Sequence, residues 1–220
     1  MKEYDDMGEN NILARAGTIK TFGHDIDTPS PIPTNFDLEK LIDLRKSTEH
    51  LKKLDFTQPI TEIDKFYSPK MLSNLKNKDS PASIKLKNQV EDICSQAKLS
   101  MFRLVTKRDV KFTDKLNDIY TEIQIQAKIP IILINDIKFN SRIDAFEKRI
   151  TATRDYIESN HNRAEYCSIC SVIRMDMPLD LFEQKTDVIN DNGFDGTVFI
   201  HAPYYTTLKK YLYIQKIAKN

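Results

Sequence analysis

Three residues with useful chemistry follow or close successive apolar runs. Asp136 comes directly after "IPIILIN", Arg174 closes "YCSICSVIR", and His201 follows "GTVFI". A carboxylate such as Asp136 can accept hydrogen bonds from the N–H groups of a purine. A guanidinium such as Arg174 can donate to a base or grip a phosphate with two N–H groups at once. His201 can serve as a pocket histidine. Each also has a plainer reading. Asp136 suits a helix cap or a loop, Arg174 an ion pair with Asp136 or Asp176, and His201 a place on the surface or in the core.

Two further groups have suggestive spacing. Cys167-x-x-Cys170 has the spacing of a half zinc site. Within a strand, however, residues three apart point to opposite faces, and no second ligand pair stands nearby, so buried structural cysteines and no metal are expected. Tyr204, Tyr205, Lys209 and Lys210 interleave aromatic rings and ammonium groups near the C-terminus. That mixture can stack on bases and hold phosphates, or form one amphipathic terminal helix.

These residues need a scaffold, and the pattern of the chain supplies one. The first 13 residues are polar and lack periodicity, so disorder is expected there. "AGTIKTFGHDIDTP" reads as a β-hairpin, with strands near 17–20 and 25–28 around a turn at Gly23. Prolines 29, 31 and 33 force an extended segment. Thr34 or Asn35 can cap a helix to about residue 53 that carries Leu38, Leu41, Ile42 and Leu51. Residues 54–84 read as irregular, with one short helix. "SIKLKNQVEDICSQAK" is helical in its spacing.

From residue 99 the chain alternates. "SMFRLVT", "IPIILIN", "YCSICSVIR" and "GTVFIHA" are apolar strands of the kind buried on both faces. Helices are expected over 113–127, 141–160, from Pro178, and over 206–220. Four strand–helix units in succession imply a parallel sheet, either part of a (β/α)8 barrel or an open sheet. The whole is expected to be one α/β domain over 14–220. No glycine-rich phosphate loop is present, so no nucleotide cofactor is implied.

Glycine is rare: there is none between His24 and Asn192. Gly193 sits where a helix should end and a left-handed residue is wanted. Gly196 opens a strand and has no such ready explanation.

The chain carries 33 basic and 32 acidic side chains, for a formal charge of +1. No global field draws it to nucleic acid or membrane, so any phosphate contact must be local. No apolar run reaches the length of a membrane span, and the first residues have no signal-peptide pattern. Three cysteines, an odd number, suit a reducing cytoplasm.

Two segments together resemble the tRNA-guanine transglycosylases, which form a (β/α)8 barrel. The first is "ARAGTIKTFGHDIDTPSPIPTN", similar to the family's opening hairpin and its proline-containing lead into the barrel. The second is "SVIRMDMPLDLFEQKTDVINDNGFDGTVFIHA", similar to a strand, a helix, a Phe-Asp-Gly and a further strand. Between them, "PIILINDIKFNSRIDAFEKRITATRDYIES" is similar to a strand ending in an Asp and followed by a long helix. The resemblance implies a partial (β/α)8 barrel with an N-terminal hairpin. It makes Asp136 a base-contacting acid and Phe194-Asp195-Gly196 the approach to a pocket-forming strand.

The departures are as informative. No Ser-Gly-Gly-Phe-Gln segment is present. Ile173-Arg174-Met175 replaces the family's Val-Gln-Gly, and Ile200-His201 replaces its Gly-Gly. The family's nucleophilic Asp and zinc site lie beyond the matching stretch. The resemblance therefore implies a non-catalytic or partner-dependent subunit in deazaguanine-type base modification (queuosine or archaeosine). Its partners would be tRNA or another nucleic acid and a catalytic homologue. An interaction scaffold that kept the fold and lost the pocket is the alternative from another class. An unrelated small-molecule α/β enzyme is the third reading.

Overall fold

The computed structural model describes residues 2–5, 16–21, 24–28, 40, 60–95, 99–106, 113–135, 142–160, 167–175, 177–200 and 212–213. Asp136, His201, Tyr204, Tyr205, Lys209 and Lys210 lie outside these residues, as do all but residue 40 of the helix expected over 34–53 and most of the terminal helix. The fold is mixed α/β.

The N-terminal strands are β1 (Lys2–Asp5), β2 (Ala16–Thr21) and β3 (His24–Thr28), antiparallel in that order. The hairpin falls where its turn residues put it, with Ile19 opposite Ile26. Lys2–Asp5 pair along one edge of β2, while the rest of residues 1–13 lie outside the described residues. A strand that short and polar leaves no periodic signal. Its order comes from the backbone groups that β2 offers.

The second sheet contains β4 (Ile60–Tyr67), β5 (Leu99–Thr106), β6 (Ile131–Ile134), β7 (Ser168–Arg174) and β8 (Gly196–Ile200). Its order is β4-β5-β6-β7-β8 and every pairing is parallel. β4 was hidden in the stretch read as irregular. Its sequence, ITEIDKFY, breaks the alternation of apolar and polar residues with three charges.

The helices are α1 (Pro69–Ser73), α2 (Pro81–Cys94), α3 (Asp114–Gln126), α4 (Ile143–Asn160) and α5 (Leu179–Asp191). Their starts follow capping chemistry. The Ser68 hydroxyl accepts from Met71 N–H at 3.3 Å, Ser80 from Ser83 N–H at 3.3 Å, and Thr113 from Leu116 N–H at 3.2 Å. Prolines 69 and 81 occupy first turns, where a missing N–H costs nothing. Pro178 sits one position earlier than expected, as the N-cap of α5. Gly193 ends that helix region at φ +67°, as its position foretold.

Sequential strand order has a consequence. Right-handed crossovers between neighbouring parallel strands place every connecting helix on the same face. α2, α3, α4 and α5 accordingly pack each against the next in one layer. Tyr213, from the segment after β8, joins this layer. Its hydroxyl donates to the Met177 carbonyl and its ring meets Phe182 edge-on at 4.9 Å.

The two faces of the sheet follow from alternation. Phe102 faces the helices, with its ring 5.4 Å from that of Tyr120 on α3. So do Ile132, Ile134, Ile169 and Ile173, which pack with Phe146, Ile150 and Phe182. Leu99, Met101, Leu133 and Val172 take the other face and are also buried. Burial on both faces is why the strands read as continuous apolar runs.

Candidate functional site

The carboxyl edge of a parallel sheet is where such folds place their ligands, because the strand ends and the helix N-termini converge there. Arg174 is the last residue of β7, opposite Ile200 of β8. It is half-buried and makes contacts within the chain. The sequence-based expectation of its place at this edge is met. Asp136 follows Asn135 beyond β6, and His201 follows Ile200 of β8. Both lie outside the described residues, so of the three expected rim residues only Arg174 is positioned.

The structure adds Gln124, which the sequence reading passed over. Gln124 sits on α3 and is completely buried. Its amide oxygen accepts from Leu133 N–H at 2.8 Å, and its amide nitrogen donates to the Leu133 carbonyl at 3.0 Å. The side chain thereby takes the place a neighbouring strand would have at Leu133. The pairings show the result. β4 and β5 share eight residue pairs, β6 and β7 four, and β7 and β8 five, but β5 and β6 share only Met101 with Ile131. The sheet is opened between β5 and β6 by a helix side chain. A polar residue within an apolar helix pattern was the one available signal.

β6 is also short. It ends at Ile134, opposite Ser171, while β7 continues three residues to Arg174. In the register β6 thus ends three positions before β7. Arg103 of β5 lies just past the single β5–β6 pair, is half-buried, and shares the face of Met101.

The other motifs have structural duties. Phe194-Asp195-Gly196 lies at the amino edge of the sheet, the opposite end from Arg174. The Asp195 carboxylate accepts from Ile169 N–H at 2.7 Å, and Asp195 N–H donates to the Ile169 carbonyl at 3.0 Å. Phe194 lies under the Arg154 guanidinium, 5.7 Å from it, and Arg154 also donates to the Asn192 carbonyl. The motif leads into β8, as the sequence places it, and clasps the start of β7. Gly196 finds its explanation here. It pairs with Cys170, and a Cβ would come within 3.2 Å of the Cys170 sulfur.

Cys167, just before β7, and Cys170, within it, pack against different apolar clusters. No group of three or more metal-ligating side chains is found among the described residues. Cys94 on α2 shares a hydrogen bond of 2.7 Å with Ser100 of β5. Burial pushes its thiol pKa up, with Glu91 adding to the rise and the Ser100 bond opposing it. Lys185 is completely buried on α5, its ammonium 4.6 Å from the centre of the Phe146 ring. Both belong to the helical layer rather than to the carboxyl edge. No helix of the described residues is long and apolar enough to cross a membrane.

Comparison with protein families and with curated proteins gives no match for this chain.

Proposed function

We propose that this chain is a non-catalytic β/α subunit of the transglycosylase type, acting with a catalytic homologue on nucleic acid. The observation that carries the reading is the strand order. Five parallel strands in sequence, with their helices in one layer, are the arrangement of consecutive units of a (β/α)8 barrel. A doubly wound sheet would reverse its order and place helices on both faces. Arg174 at the carboxyl edge supports contact with a base or a phosphate there.

The test uses the purified full chain with unmodified tRNA and labelled guanine. No exchange is expected from the chain alone, and a mobility shift with tRNA that weakens as salt rises is expected. Label in the tRNA, or no tRNA binding at low salt, would refute the reading.

A second reading is favoured by one observation. The Phe-Asp-Gly segment that leads into β8 is committed to the β7–β8 clasp. An interaction scaffold that kept the fold and lost the pocket would look the same at this position. Absence of tRNA binding together with retention of a protein partner would select it.

A further inference from the structure

The single β5–β6 pair marks a line that continues through the helical layer. On one side of it, Leu86 and Val90 of α2 pack with Leu116, Ile119 and Ile123 of α3 in one apolar cluster, together with Ile63 of β4 and Phe102 of β5. On the other side, Phe146, Ile150 and Ile157 of α4 pack with Phe182 and Ile189 of α5 in a second cluster. That cluster also takes the helix-facing residues of β6 and β7, Ile132, Ile134, Ile169 and Ile173. The core beneath the helices is thus divided where the sheet is divided.

Between α3 and α4 the contacts are largely polar. The Asn117 amide nitrogen reaches Thr153 Oγ1 only at 3.5 Å, and that hydroxyl donates to the Arg149 carbonyl at 2.9 Å. Asn117 Oδ1 and, one turn further on, Thr121 Oγ1 are buried without a hydrogen-bond partner. The Tyr156 hydroxyl donates to Glu122, and Ile125 of α3 packs against the second cluster. A buried polar atom without a partner destabilises the state that buries it, and water restores its hydrogen bonds once the interface parts. The far face of the sheet differs. There Leu133 of β6 and Val172 of β7 join Leu99 and Met101 of β5 in the first cluster.

We propose that the line between β5 and β6 is a hinge built into the fold. One half is β4 and β5 with α1, α2 and α3, and the other is β6, β7 and β8 with α4 and α5. The halves part on the helix side and turn about the apolar contacts of the far face. The Gln124 amide, bonded to both backbone groups of Leu133, is the latch that closes the hinge. Opening gives those groups to water and lets water reach Asn117 and Thr121. Units that open below the level of global unfolding are separated in this way, by boundaries poor in apolar contact. The hinge is independent of the proposed function, since it uses no residue of the carboxyl edge.

Native-state amide exchange of the full chain, read residue by residue by NMR, tests the hinge. The Leu133 N–H donates to Gln124 Oε1 at 2.8 Å, so it exchanges when the latch opens. In the wild type it should exchange at least about 10-fold faster than the slowest amides of β7. Its rate should also depend less on urea, because opening exposes less surface than unfolding does. Thr121→Val keeps the shape and removes the unpaired hydroxyl. It should slow Leu133 exchange about 10-fold, since only the closed state buries that atom. Ile150→Val weakens the core of the second half. It should quicken the slowest β7 amides about 5-fold and leave Leu133 unchanged, because that half stays packed when the hinge opens.

Leu133 exchanging no faster than the slowest β7 amides overturns the proposal, because the latch then opens only with the whole molecule. Unchanged Leu133 exchange in Thr121→Val overturns it as well, because Gln124 then swings out alone and α3 never leaves α4. A Thr121→Val chain that melts below the wild type removes the premise that the hydroxyl burdens the closed state. A Leu133 rate that rises together with the β7 amides in Ile150→Val is the fourth result against it.

Discussion

Gln124→Ala should be among the most damaging single substitutions in this chain. The side chain is fully buried and makes two hydrogen bonds to one residue, Leu133, which is itself fully buried. Truncation leaves the Leu133 N–H and carbonyl without a partner and without water. Each unsatisfied buried backbone group costs about 1–3 kcal/mol, so the pair costs about 4 kcal/mol, before any cavity term. For a chain of this size each kcal/mol lowers Tm by about 2–4 °C, which gives a fall of roughly 8–16 °C.

Gln124→Glu tests the donor half of the same contact, because the shape is kept. The neutral acid can accept from Leu133 N–H and donate to its carbonyl. The carboxylate can only accept, and it is buried against a carbonyl oxygen. Folding thus raises the pKa of this carboxyl above its unfolded value of about 4.3. Its penalty should be absent below that pH and should grow as pH rises through the folded pKa. Thermal melts of wild type and both variants, compared at the same pH from 4 to 8, measure this. A Gln124→Ala Tm within a degree of wild type would refute the account of how β5 and β6 are held apart. So would a Gln124→Glu penalty that does not depend on pH.

Three further outcomes are expected. Asp195→Ala should cost about 2 kcal/mol by exposing the Ile169 N–H, and Asp195→Asn less than half of that; calorimetric melts decide, and ligand binding should not change. Gly196→Ala should cost about 1 kcal/mol by overpacking against Cys170. Adding Cys170→Ala should recover part of that loss, so a double-mutant cycle with no coupling would contradict the contact. Cys94 should react with iodoacetamide at pH 8 more slowly in the folded chain than in urea, because burial raises its thiol pKa and reduces its thiolate. Equal rates would contradict that burial.

The sequence by itself determined the alternating strands and helices from residue 99 to residue 200. Long apolar runs and helical stripes are local patterns, and each element carries its own period, caps and stops. Ser68, Ser80 and Thr113 begin helices by bonds that reach only three residues. Gly193 ends one by its own φ. The place of Arg174 at a strand end was legible for the same reason.

Only the tertiary structure decided the rest. β4 and β1 are strands because a neighbour offers a backbone edge, and neither has a period of its own to announce it. Arg103 reads as one charge within an apolar run until register and alternation put it on the face of Arg174. Gln124 reads as one polar residue on a helix, nine positions before Leu133 in the chain. That it replaces a strand is fixed by the packing of α3 against β6, because a buried backbone must find a partner and here an amide side chain supplies it.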